Sequence, residues 1–203
     1  MSFLSEKCTL KLFDRGVLQR CEPFDCGNED LNDFFARDSI NYSSQLLGKT
    51  YCFTLDENPK KIVCAFTVSN DSVKTLDLPN ARKKKVSKDI PRSKHMKSYP
   101  AVLIGRLGVN IEYQNVSGNP LYIGTQLMDF IKAWFADIGN KTGCRFVVVD
   151  SYNEEKPLKY YQRNGFQFVF SSEEQECTYT GITPGSLLKT RLLYYDLIKI
   201  ISD

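Results

Sequence analysis

Apolar residues recur along this chain in two patterns: short, nearly continuous runs, and longer stretches with helical spacing. The short runs predict strands. Cys8–Phe13 alternates weakly, and Thr50–Leu55 and Lys61–Val68 are two strand-like runs separated by "DENPKK", a turn of hairpin length. Pro100–Val109, "PAVLIGRLGV", reads as a buried strand interrupted by Gly105 and Gly108. Glycine inside a strand marks a bulge or a close approach by another backbone or a ligand. "RFVVVD" predicts a strand at the buried centre of a sheet. Phe166–Phe170 and the late run "RLLYYDL" complete the set.

The helical spacings fall between these runs. "EPFDCGNEDLNDFFARDSINYSSQLL" opens with turn residues and continues as a helix, with Asn28 or Asp30 as its cap. Leu31, Phe34, Phe35 and Ile40 supply part of its apolar face. Ile123, Leu127, Phe130, Ile131, Trp134, Phe135 and Ile138 recur at spacings of four and three, one face of a second helix, and Gly139 and Gly143 bracket its end. In "SYNEEKPLKYYQRNGFQF", Asn153 is the expected cap of a third helix. Its first turn holds Glu154 and Glu155, favourable at the positive end of the dipole, and Gly165 stops it. Strands and helices alternate without an internal repeat or a long linker. This predicts a single α/β domain over 1–203, with parallel and antiparallel strand pairs.

Charge changes the picture at one place. Segment 81–97, "ARKKKVSKDIPRSKHMK", sets eight Lys and Arg residues against Asp89, a net of +7, which leaves −4 for the rest of the chain. It lacks apolar periodicity and has Pro79 and Pro91 close by, so an exposed loop is predicted. Such a loop is either a solvated surface or a site for phosphate. The seven cysteines form no C-x-x-C pair and His95 is the single histidine, so no metal site is expected. The cysteines read as small buried hydrophobes kept reduced. No apolar run approaches the ~20 residues of a membrane span. Glu6 and Lys7 stand where a signal peptide needs an apolar stretch, so a cytoplasmic protein is expected.

The stretch "GNPLYIGTQLMDFI" joins the interrupted strand to the second helix. Asn119 and Pro120 suit its cap and first helical position, and the helix-end N–H groups beyond them favour an anion. Most corners of this kind bind nothing, so the turn alone decides nothing.

Neighbouring residues add to it. "IGRLGVNIEYQ…IGTQLMDFI" resembles the cofactor-binding core of the GNAT acetyltransferases, a strand followed by Q/R-x-x-G-x-G/A and a helix. "NEEKPLKYYQRNGF" is similar to that family's second signature, a helix with a tyrosine shortly before Gly-Phe. "FDCGNEDLNDFF" and "YPAVLIGRLGV" resemble the branch that contains the GNAT toxins of toxin–antitoxin pairs. The likeness runs from Phe24 to Phe168. One departure stands out: Gln114 and Gly124 lie ten positions apart where the family pattern has five, and Tyr122 stands at the usual middle glycine.

The resemblance implies a mixed, strongly twisted central sheet of about six to seven strands flanked by helices, with a bulged strand at the cofactor site. It implies an acetyl-CoA-dependent N-acetyltransferase. Leu107, Gly108 and Val109 would take the pantetheine arm as an added strand. Gln114, Gly118, Leu121, Ile123, Gly124 and Thr125 would face the phosphates. The Val109 N–H would serve the oxyanion and the Tyr161 hydroxyl the departing thiolate. The acceptor is a primary amine, and the toxin branch implies the α-amine of an aminoacyl-tRNA and an antitoxin protein as partner. Arg106, Lys83, Lys84 and Lys85 are then candidates for substrate phosphate. A homodimer is left open.

No general base declares itself among Glu112, Asp150, Glu154 and His95. An α-amine, with pKa ~7.7–8, needs less help than a lysine side chain near ~10.4. Two alternatives stay open: a GNAT enzyme for a small amine or a protein N-terminus, and a non-catalytic acyl-CoA- or nucleic-acid-binding module of the same fold.

Overall fold

The computed structural model describes residues 2–76, 78–88, 90–93, 97–114, 121–183 and 185–201. Its strands are β1 (Cys8–Leu12), β2 (Lys49–Leu55), β3 (Ile62–Lys74), β4 (Ser98–Val109), β5 (Phe146–Tyr152), β6 (Gln167–Phe168) and β7 (Thr190–Asp196). Its helices are α1 (Phe3–Lys7), α2 (Arg15–Arg20), α3 (Glu29–Asp33), α4 (Ser39–Ser44), α5 (Asn80–Val86), α6 (Ile123–Ala136), α7 (Glu155–Arg163), α8 (Glu173–Thr180) and α9 (Ile198–Ile201). The strands form one seven-stranded sheet in the order β1-β2-β3-β4-β5-β7-β6. The expected mixed α/β class is therefore met, with helices flanking a sheet of the expected size.

The chain divides into two compact units, Met1–Ser69 with Ile104–Ile131, and Asn70–Leu103 with Lys132–Asp203. In the first, β1, β2 and the start of β3 form an antiparallel meander with Cys8 opposite Leu55 and Lys49 opposite Val68. The register shifts between Phe53 and Thr54. The buried hydroxyls of Thr50 and Thr67 satisfy each other at 2.8 Å. Asn28, as read, caps α3 by accepting the Leu31 N–H at 3.0 Å. A π turn, Phe34–Asp38, joins α3 to α4, and both Phe34 and Phe35 are buried. They pack with Phe13, Val17, Cys52, Ile62 and Ala65. A fully buried side chain such as Phe35 contributes about 1.5–3 kcal/mol.

All seven cysteines are free thiols, and five are buried. Burial, aided by Asp56, pushes the Cys8 thiol up to about 11, and burial pushes Cys52 up to about 12. These are inert core groups, as their apolar setting in the sequence suggests.

In the second unit, β5 pairs antiparallel with β7 from Phe146–Asp196 to Tyr152–Thr190. Val73, Leu78, Val86, Tyr99, Ala101, Phe146, Val148, Val169, Phe170 and Tyr194 form its core. Three expectations change here. The basic segment is not simply a loop: Asn80–Val86 is helical, because Val86 is buried in the core and Arg82 donates to the carbonyls of Phe168 and Val169. Asn153 does not cap α7; its side-chain amide donates to Leu188 O at 3.0 Å and to Glu173, and Glu154 holds the cap position without a side-chain bond. Ile138 leaves the apolar face of α6, which ends at Ala136, and is 97% exposed.

The second unit also holds a buried ion pair that no local pattern announces. Arg191 Nε lies 2.7 Å from Glu176 Oε2, and Glu176 Oε1 accepts the Leu192 N–H at 2.6 Å.

Candidate active site

Of the predicted residues of the first unit, Arg106, Leu107, Gly108 and Val109 form the end of β4 and Gln114 closes the turn after it. Gly108 is buried, and a Cβ there would sit 3.1 Å from Cys26 Cβ and 3.2 Å from Phe24 Cε1. The glycine thus answers to a close approach by the 24–26 segment. Just past the strand, buried Asn110 donates from its backbone to Val63 O at 2.9 Å and from Nδ2 to Ile62 O at 3.0 Å, which anchors the strand end. A single 3₁₀ turn, Ile111–Tyr113, follows.

Gln114 closes this turn. Its Nε2 donates to Cys26 O and to Val109 O, both at 2.8 Å, and its backbone N–H points to Asn110 O at 3.1 Å. The segment "DCGN" against which it closes is itself tied down. Asp25 Oδ1 accepts from Gly27 N at 2.8 Å and Asn32 Nδ2 at 2.7 Å, and these bonds hold the Asp25 carboxyl below its usual range. Asn32 Oδ1 in turn accepts the Cys26 N–H at 2.9 Å. Gly27 has φ +76°, a left-handed backbone that suits only glycine well.

Arg106 is exposed, lies over the Phe34 ring at 4.9 Å, and donates to the neighbouring Gly105 carbonyl at 2.7 Å. It forms no ion pair among the described residues. Leu107 and Val109 are half-buried.

The turn before α6 departs from the family pattern in its backbone as well as its spacing. Gly118, with Asn119 and Pro120, lies outside the described residues. Tyr122 has φ +52°, so the residue standing at the usual glycine adopts a conformation that glycine would take without strain. Its carbonyl accepts the N–H groups of Thr125 at 2.9 Å and Gln126 at 3.1 Å. Thr125, whose amide is expected to face phosphate, is exposed. Ile123 is buried, Leu121 and Gly124 are half-buried, and the Leu121 carbonyl accepts from Gln126 Nε2.

Tyr161 and Lys83, Lys84 and Lys85 belong to the second unit. Tyr161 stands on α7 between Tyr160, 5.0 Å away, and Phe166, 5.5 Å away. Gly165 ends the helix at φ +82°, as the sequence predicts. The Tyr161 residue as a whole is half-buried, but its phenol end lies deep, and that burial pushes the phenol above its ordinary value. No described residue hydrogen-bonds its hydroxyl. Lys84 and Lys85 are exposed and Lys83 half-buried on α5. Of the candidate bases, Glu112 is paired with Lys61, Asp150 and Glu154 are exposed, and His95 lies outside the described residues. Among the described residues no cluster of His, Cys, Asp and Glu could hold a metal.

No family model matches the chain and no curated protein matches it. Solved structures do. A tyrosine-to-phenylalanine variant of KacT superposes with TM-score 0.65 at 20% identity, covering 97% of this chain and 99% of that one. The fold is of the GNAT type. AtaT complexed with acetyl-methionyl-tRNAfMet superposes with TM-score 0.61 at 20% identity over 96% of this chain and 98% of that one. AtaTR bound with AcCoA does so with TM-score 0.61 at 18% identity over 97% and 98%. The described helices include none long and apolar enough to cross a membrane.

The sequence reading missed what the side chains of Gln114, Asn32 and Arg82 do. Gln114 and Arg82 have partners 88 and 87 positions away, where spacing carries no signal, and Asn32 reaches back six and seven positions to Cys26 and Asp25 across a turn that no helical or strand period describes.

Proposed function

We propose that this protein is a single-domain N-acetyltransferase that moves an acetyl group from acetyl-CoA to a primary amine, with the α-amine of an aminoacyl-tRNA as the acceptor. The observation that carries the reading is the near-complete superposition on proteins captured with AcCoA and with acetyl-methionyl-tRNAfMet. The end of β4 and the Tyr161 hydroxyl, which no described residue hydrogen-bonds, give it local support.

In this reading acetyl-CoA supplies an activated thioester. The backbone of Leu107, Gly108 and Val109 binds the pantetheine arm as an extra strand, and the Val109 N–H receives the oxyanion. Gln114 Nε2 donates to the Val109 carbonyl and so fixes the peptide at this strand end. Tyr161 keeps its proton. A phenol raised above ~10 is a weaker acid than a thiol near ~8.5, so handing the proton over is uphill by more than about 2 kcal/mol. Tyr161 therefore donates a hydrogen bond to the leaving sulfur, and the proton that sulfur finally takes is the one released by the attacking amine. An α-amine is partly neutral at neutral pH, which suits a site without a dedicated base.

Lys83, Lys84 and Lys85, with exposed Arg106, supply the charge for tRNA phosphate. AtaT has been captured with the C-terminus of its antitoxin AtaR, and a protein partner of that kind is the counterpart proposed here. Calorimetric titration with acetyl-CoA, followed by acetylation of a panel of aminoacyl-tRNAs at low and moderate salt, tests the reading. Binding, and transfer that weakens as salt rises, is expected. Transfer to small free amines that is indifferent to salt would shift the acceptor class. Absence of binding would replace the enzyme by a non-catalytic module of the same fold.

A further inference from the structure

We infer that Gln114 is a positioning residue rather than a phosphate ligand: its side-chain amide clamps the end of β4 to the "DCGN" segment and sets the Val109 edge. The inference rests on the reading that this edge takes the pantetheine arm.

A primary amide nitrogen has two protons, and both are committed here, one to Cys26 O and one to Val109 O, each at 2.8 Å. No donor remains on that nitrogen for a phosphate. The two carbonyls come from segments more than 80 positions apart, and each is fixed independently. On one side Asn32 holds the Cys26 N–H, Asp25 holds Asn32 and Gly27, and the Asp25 carbonyl accepts the Ile111 N–H at 2.9 Å. On the other, Asn110 anchors the strand end to β3, and Gly108 lets Cys26 approach to 3.1 Å of where a Cβ would stand. Gln114 closes the ring between them. This gives the "FDCGN" stretch a purpose: it buttresses the strand end. It also accounts for the ten-residue spacing between Gln114 and Gly124, because a clamp, unlike a phosphate ligand, does not have to lie a fixed distance from the helix end.

The amide is the right group. Glutamate would face two carbonyl oxygens with a third, and methionine would fill the space with no donor.

Gln114→Met and Gln114→Glu are compared with the unaltered protein in titrations with CoA, pantetheine and 3′,5′-ADP, the last carrying the nucleotide half alone. Loss of two hydrogen bonds that fix the edge is expected to weaken CoA and pantetheine by a similar factor, about tenfold, and to leave 3′,5′-ADP unchanged. Weakening of CoA and 3′,5′-ADP with pantetheine unchanged would make Gln114 a phosphate ligand and overturn the inference alone. No change with any probe would also overturn it. An unaltered protein that binds none of the three would overturn both this inference and the acetyltransferase reading. A measurement that needs no variant guards against misfolding. The two Gln114 side-chain amide protons should appear in a nitrogen–proton correlation spectrum as separate, slowly exchanging signals, and rapid exchange of both would refute the clamp.

Discussion

Replacing Glu176 by alanine strips a buried guanidinium of its nearest counter-ion. Glu176 is 2% exposed and Arg191 7%, so water does not fill the gap. Two contacts go at once, the 2.7 Å bond to Arg191 Nε and the 2.6 Å bond from the Leu192 N–H. Two others remain. Glu173 Oε1 lies 3.1 Å from Arg191 Nη1, but that carboxylate is 46% exposed and holds the charge only weakly. The guanidinium also sits 4.5 Å over the Phe168 ring. Removing one member of a buried pair costs about 3–5 kcal/mol, and these residual contacts place the expected loss at the lower end, about 3 kcal/mol. For a chain of this length that is a fall in Tm of about 6–12 °C. Glu176→Gln keeps an acceptor for Leu192 and loses only the charge, so it should fall between Glu176→Ala and the parent. Joint replacement by Glu176→Leu and Arg191→Met removes both charges and should recover most of the loss. Thermal melts followed by circular dichroism, with urea unfolding as a second probe, read all four proteins. A fall below about 2 °C for Glu176→Ala, or a double variant no better than the single one, would refute the reasoning.

Tyr122→Gly should raise stability by about 0.5–1 kcal/mol, because relief of the left-handed strain outweighs the added freedom of the unfolded chain and the exposed ring gives up little packing; a lowered Tm would count against this. Tyr161→Phe should lower kcat about 100-fold while acetyl-CoA affinity stays the same, and an unchanged kcat would remove the hydroxyl from the chemistry. The rate that depends on this phenol should not decline as pH approaches 10, since burial keeps it protonated in the fold. Alkaline pH should destabilise the protein. Cys52 and Cys64 stay protonated in the folded chain while unfolded thiols ionise from about pH 8.5–9, so above that point each takes away about 1.4 kcal/mol per pH unit until its raised folded value is reached. Urea unfolding at pH 7 and pH 10 reads the effect, Cys52→Ala should flatten it, and equal stability at the two values would contradict it.

Much of the fold is written locally. The apolar runs around Val63–Ala65 and Val147–Val149 mark strands because a buried strand has to be apolar on both faces, and those residues are buried. Asn28 declares a helix start and Gly165 a helix stop, since capping and left-handed backbone are satisfied within a few residues. The order of the motifs, from the interrupted strand to the Tyr161 helix, also sufficed to point to the GNAT-type fold. What the sequence left undecided is whatever depends on a distant partner. Arg82 and Val86 make a helix of a basic run only because the 168–170 segment and the core of the second unit receive them. Glu176 finds Arg191 across 15 positions and Gln114 finds Cys26 across 88, distances at which no periodicity operates. The left-handed backbone of Tyr122 is likewise not legible in the sequence, because nothing intrinsic to tyrosine favours it. Composition and spacing determine which groups a chain can offer; the tertiary structure determines which carbonyls, carboxylates and rings are there to receive them.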